Sequence, residues 1–178
     1  GLSKRLGSLS IHTLADEGYE AMAVACLAVL TGTSGPVEAL AHMEELVKRF
    51  DPRSVTKSAA KFDPAELDSL NRRIVHQIEY ETVAERLESA GVTGGEAYWN
   101  AVRGNLEKVG DAGALWAIVE NAQPIVDEED KEFIATAREC IPDGVFTQET
   151  WGEWISNLKS STGRKGKGLF MPMRKALT

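Results

Sequence analysis

Cysteine is scarce, with two in 178 residues. Cys26 and Cys140 lie far apart and outside any C-x-x-C or other metal-type spacing, so both read as reduced core residues rather than a disulfide framework or a metal clamp. Histidine is almost as rare. His12, His42 and His76 share no metal spacing and flank no plausible Ser or Cys nucleophile, which leaves no triad to propose and no metal site to expect. Long apolar runs are also missing: the longest, Ala21 to Leu30, has 10 residues, too few to span a bilayer, and the first residues lack the layout of a signal peptide. A cytoplasmic chain without a membrane partner is the expectation. Finally, no segment alternates apolar and polar residues over a convincing length, except a hint at Leu9 to Ile11, which argues against a sheet.

What is present is charge, unevenly placed. The 20 basic and 27 acidic residues give a net charge of −7, so the chain as a whole is no uniform polyanion binder. Residues 1–158 hold 14 of the basic and all 27 of the acidic residues, a net of −13. Lys159, Arg164, Lys165, Lys167, Arg174 and Lys175 follow with no carboxylate among them, so an acidic body ends in a +6 tail.

Helical signals fill the rest. Residues 14 to 30 read as one helix stopped by Gly32, and Val37, Leu40, Met43, Leu46, Val47 and Phe50 repeat at helical spacing before Asp51-Pro52. Asp63-Pro64-Ala65-Glu66 combines an N-cap acceptor, a proline at the first helical position and a glutamate three after the cap. Thr82-Val83-Ala84-Glu85 reads as a capping box, and Gly91 as a left-handed stop. Further helices are expected through Trp99 to Val109, from Gly110-Asp111 to Pro124, from Asp127-Glu-Glu-Asp130 to Pro142, and after Thr147, where Trp151, Trp154, Ile155 and Leu158 form one apolar stripe. Ser160 to Gly168 reads as a polar basic loop, followed by an apolar stretch too short to complete a helix. The fold class is therefore all-α, with about eight or nine helices and no internal repeat.

Two segments carry candidate chemistry. Gly163-Arg-Lys-Gly-Lys-Gly168 is not a phosphate loop, because Leu169 stands where the motif needs lysine and no strand precedes it. Its cations suit a polyphosphate backbone read without base contacts, or simply a solvated loop. At the other end, Lys4 between Ser3 and Arg5 suits charge stabilisation on a transferring phosphate, but it would need a nucleotide fold that these residues do not provide.

Order and spacing join these pieces. Leu2-Ser3-Lys4-Arg5, Gly18-Tyr19, Lys57-Ser58-Ala59-Ala60-Lys61-Phe62-Asp63, Leu70-Asn71 and the segment from Thr162 to Thr178 together resemble the carboxy-terminal half of bacterial glutamyl-tRNA synthetase, end to end. The resemblance implies a class I synthetase whose lysine, here Lys4 with Ser3 and Arg5, helps to stabilise ATP phosphates. The nucleotide fold would lie upstream, so the chain alone is expected to be inactive. It also implies a stem-contact segment over residues 1–80 and a helical anticodon-binding region over 81–178. The related glutaminyl enzyme reads its anticodon with β-barrels, which the all-α pattern after Thr82 disfavours. Arg174 matches an arginine beside the anticodon, with Arg164, Lys165 and Lys167 preceding it. Arg103 and Asn105 fall where members that reject glutamine tRNA often read Arg-Pro-Arg; Asn105 departs from that pattern. The implied partners are tRNA(Glu), possibly extended to tRNA(Gln), with L-glutamate and ATP for the whole enzyme, which is expected to be a monomer without DNA or metal. A paralogue charging an unusual tRNA, and a helical protein-interaction module with a basic tail, are the alternatives.

Overall fold

The computed structural model describes residues 10–57 and 62–177. Ser3, Lys4, Arg5 and most of the Lys57 to Asp63 motif lie outside them. Among the described residues ten α-helices and no strand occur; the only extended pairing is an isolated antiparallel bridge between Thr33 and Val55. The protein is all-α. It forms two compact units, Gly1–Trp116 and Ala117–Thr178, a division of packing that falls later in the chain than residue 80.

The first unit opens with α1 (Ile11–Asp16) and α2 (Ala21–Leu30), where the sequence pattern suggests one continuous helix. Gly18 breaks it: at φ +83° it ends α1, with its own N–H donating to the Ala15 carbonyl at 3.0 Å and the Tyr19 N–H to the Leu14 carbonyl at 3.0 Å. α2 is apolar on nearly every side and buries Ala23, Cys26, Leu27 and Leu30, as a helix enclosed by its neighbours must. Its main partner is α4 (Pro64–Val75), whose Leu67, Leu70, Ile74 and Val75 are buried. Asp63 caps α4 as expected, its carboxylate accepting from the Ala65 N–H at 3.0 Å.

Residues 34 to 42 depart from expectation. The helical spacing of Val37 and Leu40 is not used; only α3 (Met43–Arg49) is helical. Val37, Ala39 and Leu40 instead pack on the core from an irregular segment, which is held by Ser34 N–H to the Ser54 carbonyl (2.9 Å) and the Cys26 thiol to the Leu40 carbonyl (3.6 Å). A short 3-10 turn, Pro52–Ser54, follows.

The unit continues with α5 (Tyr80–Ser89) and α6 (Gly95–Val102), which pack on each other. α5 starts two residues before the Thr82 box, on an extended Glu79, because Tyr80 already packs against the core. Gly91, at φ +77°, ends α5 as expected, with the Val92 N–H donating to the Leu87 carbonyl at 2.9 Å. A 3-10 turn, Arg103–Asn105, leads to α7 (Asp111–Glu120).

In the second unit a 3-10 turn, Glu128–Asp130, runs into α8 (Lys131–Glu139), then α9 (Gln148–Thr162) and α10 (Lys167–Leu177). Phe133, Ala137, Trp154, Ile155, Leu158, Leu169 and Met173 form its core, with Trp151 only partly buried. The Trp154 indole N–H donates to the Ala137 carbonyl at 2.7 Å, fixing α9 on α8.

Two of the resembling motifs meet in the first unit. Asn71 on α4 is 1% exposed; its amide oxygen accepts from the Glu20 N–H at 2.7 Å and its amide nitrogen donates to the Glu107 carbonyl at 2.7 Å. Tyr19 hydrogen-bonds Asp68 on the same helix, while Lys108 lies 4.4 Å from the Tyr19 ring centre and donates to the Glu17 carbonyl at 2.6 Å. Asn71→Ala leaves two buried backbone groups unpaired, so thermal unfolding should show a loss of about 3 kcal/mol, roughly 10 °C in Tm. The Tyr19 hydroxyl gives a second check. Its bond to Asp68, with burial and the Asp68 charge adding to it, pushes its pKa up from 10.0 to about 12. A pKa raised by folding means stability that is complete below pH 10 and lost as pH climbs toward 12. Tyr19→Phe should flatten that alkaline decline in pH-dependent melts.

Candidate nucleic-acid interface

The basic tail is mostly helix. Ser160 and Thr162 remain in α9, their hydroxyls bonding back to the Ser156 and Leu158 carbonyls at 3.0 and 2.7 Å, which leaves residues 163 to 166 as the connection. Gly163 (φ +66°) and Gly166 (φ +52°) make that tight turn possible. α10 then runs 11 residues despite Pro172 in its interior. A helix forms here where the sequence pattern suggests too short a stretch, because Leu169 and Met173, one turn apart, anchor it in the core.

Pro172 has no N–H for the carbonyl four residues earlier, that of Gly168. The Arg164 guanidinium fills the gap, donating from Nη1 to the Gly168 carbonyl at 3.3 Å. Arg164 also pairs with Asp130, reaches the Glu129 carbonyl at 3.5 Å and lies over the Phe133 ring at 4.4 Å. It acts as an internal strut between α10 and the start of α8. Lys175 is held in a similar way by Asp127, 2.6 Å away; that bond and charge hold the ammonium above the usual lysine range. The Asp127 and Asp130 carboxylates, part of a run read from sequence as dipole partners of their own helix, thus also anchor cations from the tail. These residues line an open cleft of about 550 Å³ together with Lys167 and Met171.

The other tail cations face outward. Lys165 and Lys167 are exposed, and Lys167, Phe170, Met171 and Arg174 fall at i, i+3, i+4 and i+7, all exposed along one side of α10. Lys159 adds its ammonium 5.9 Å from the Phe170 ring centre. Two cations thus bracket an aromatic ring and a thioether, which is the composition of a surface that follows a phosphate backbone and stacks on bases. Helical spacing extended from Lys167 puts Phe170 on this row, a signal that the loop expected over 160 to 168 interrupts.

Arg103 and Asn105 belong to the other compact unit, on the 3-10 turn after α6. Asn105 is exposed. Arg103 is turned inward: Nη1 donates to the Ile78 carbonyl at 2.8 Å and lies 3.6 Å from the Glu79 carboxylate. The Trp99 indole N–H donates to the same carbonyl at 2.8 Å, and His76 Nε2 donates to the Leu106 carbonyl at 3.0 Å. No group of three His, Cys, Asp or Glu among the described residues is placed to hold a metal ion, and none of their helices is long and apolar enough to cross a membrane.

No protein-family model matches the chain. Curated proteins do. The chain is 46% identical, over 183 aligned positions, to proteins named glutamate–tRNA ligase 1 of Brucella ovis and Brucella abortus and glutamate–tRNA ligase 2 of Brucella melitensis biotype 1; each alignment takes in 100% of this chain and 40% of the relative. The sequence motifs and the all-helical architecture agree with that match, and the chain, spanning about 40% of the length of these relatives, is similar over its whole length to part of a glutamate–tRNA ligase.

Proposed function

We propose that this chain is the tRNA-binding part of a glutamate–tRNA ligase, the carboxy-terminal portion, and that α10 presents its RNA-contacting stripe. The alignment of the whole chain with ligases of that name carries the reading; the exposed row of Lys167, Phe170, Met171 and Arg174 supports it from geometry. Lys165 and Lys167 sit at the amino-terminal end of α10, where the helix dipole adds positive potential and no acidic residue opposes it in the first turn. Phe170 offers a stacking face to an unpaired base.

In this reading residues 1–80 contact the inner stem of tRNA and residues 81–178 the anticodon. Arg103 and Asn105 contribute the turn nearest a discriminating base. Asparagine carries both a donor and an acceptor, so Asn105 accepts either cytosine or guanine where an arginine fork would favour cytosine. tRNA(Glu) is the substrate and tRNA(Gln) a second one. L-glutamate and ATP belong to the whole enzyme, which works in the cytoplasm as a monomer. Lys4, with Ser3 and Arg5, stabilises ATP phosphates there; the described helices of this chain include no strand–loop–helix nucleotide unit, so the chain by itself should give no glutamate-dependent ATP–pyrophosphate exchange.

Salt dependence tests the interface. With Lys165, Lys167 and Arg174 each neutralising a phosphate, log K for tRNA should fall with log salt at a slope of about −2, taking about 0.7 per contact for single-stranded RNA. Replacing Lys165 and Lys167 together by alanine should bring the slope to about −0.7. Arg164→Ala should behave differently: about 2 kcal/mol less stable through loss of charged hydrogen bonds, with the slope unchanged. Salt-insensitive binding, or no binding, would overturn the proposal and leave a helical protein-interaction module.

A further inference from the structure

The turn that carries Asn105 is gripped from both sides by one short connector. Residues 76 to 79, between α4 and α5, offer His76 to the Leu106 carbonyl and the Ile78 carbonyl to Arg103. The Ile78 carbonyl also takes the Trp99 indole N–H, and Trp99 is 0% exposed. It is therefore a fixed point in the core, able to serve two donors because a carbonyl oxygen has two lone pairs. Arg103 is tied to that fixed point by Nη1, with the Glu79 carboxylate beside the same nitrogen. The turn is closed by the Leu106 N–H donating to the Arg103 carbonyl at 3.2 Å. What remains outside these bonds is its tip: Gly104 and Asn105 are exposed.

An arginine whose Nη1 is committed to a core carbonyl is poorly placed to follow a phosphate, yet it sets where its neighbour two residues on can reach. A side chain as short as asparagine depends on backbone placement for base contact, since it has little reach of its own. We infer that Arg103 is a positioning residue for tRNA recognition, fixing the Gly104–Asn105 tip to the Ile78 carbonyl so that Asn105, and not Arg103, meets the RNA. The inference rests on the tRNA-binding reading above.

The test compares the 178-residue chain with its Arg103→Ala, Arg103→Lys, Asn105→Ala and Arg103→Ala/Asn105→Ala variants, binding transcripts of tRNA(Glu) over a salt series, with thermal melts to confirm folding. Arg103→Ala should weaken binding roughly five- to tenfold with an unchanged salt slope. Arg103→Lys should recover most of that loss, because one donor to Ile78 is what the contact uses. The double variant should bind no worse than Asn105→Ala alone, the non-additivity expected of a residue that acts through its neighbour. Amide hydrogen exchange should accelerate at Leu106 in Arg103→Ala. A slope reduced by about 0.7 would mark Arg103 as a direct phosphate contact and overturn the inference. So would a full Arg103→Ala effect persisting without Asn105, or no effect at all. If the unaltered chain shows no salt-sensitive tRNA binding, the RNA reading falls and this role with it, whereas tight wild-type binding indifferent to Arg103 sinks this role alone.

Discussion

The first unit depends on a single buried amide. Asn71 is the one polar side chain in the fully buried core among the described residues, and it faces two backbones that no helix satisfies: the N–H at the start of α2 and the carbonyl of Glu107. Both groups would cost free energy if buried unpaired. The amide meets one with its acceptor and the other with its donors, so its orientation is determined by its partners. Around it, Tyr19 reaches Asp68, Arg86 reaches Glu20 at 2.8 Å, and Lys108 reaches Glu17. The packing of α2 on α4 and the entry of the chain into α7 are thereby joined. The 76–79 connector and the Arg103 turn are set within the same framework.

Local signals were legible and distant ones were not. Asp63-Pro64 and Gly91 announced helix ends because the groups they satisfy lie within a few residues. The apolar stripe of Trp154, Ile155 and Leu158 announced a buried face for the same reason. By contrast, the spacing of Val37 and Leu40 suggested a helix that tertiary bonds to Ser54 and Cys26 replace. Asn71 finds partners 51 and 36 residues away, and Arg164 finds Asp130 at a separation of 34; nothing in their sequence neighbourhoods encodes such meetings. The tail cations were recognisable as a group, but their division into struts and outward-facing charges depends on where Asp127 and Asp130 stand.

That division changes how the charge asymmetry works. The tail reads as +6 in sequence, yet Arg164 and Lys175 are matched by carboxylates within the same unit. The exposed Lys175–Asp127 pair adds little stability, unlike the half-buried Arg164–Asp130 pair, but both cancel field close to the surface. The uncompensated positive potential is therefore concentrated on the outward side of α10, where the proposed RNA contacts lie, in a chain whose first 158 residues are net acidic. A small net patch on a repelling background favours one docking orientation over many weak ones.

The arrangement of Pro172 and Arg164 also bears on the order in which the second unit assembles. α9, the short turn and α10 are neighbours in sequence, and Arg164 meets the Gly168 carbonyl only four residues away, so the hairpin can form early from local contacts. Its arginine is then already held near its native place when α8 arrives with Asp130 and Phe133. The hydrogen bond that repairs the proline gap thus places the same guanidinium that the long-range contacts use, so one side chain serves both the local hairpin and its docking on α8.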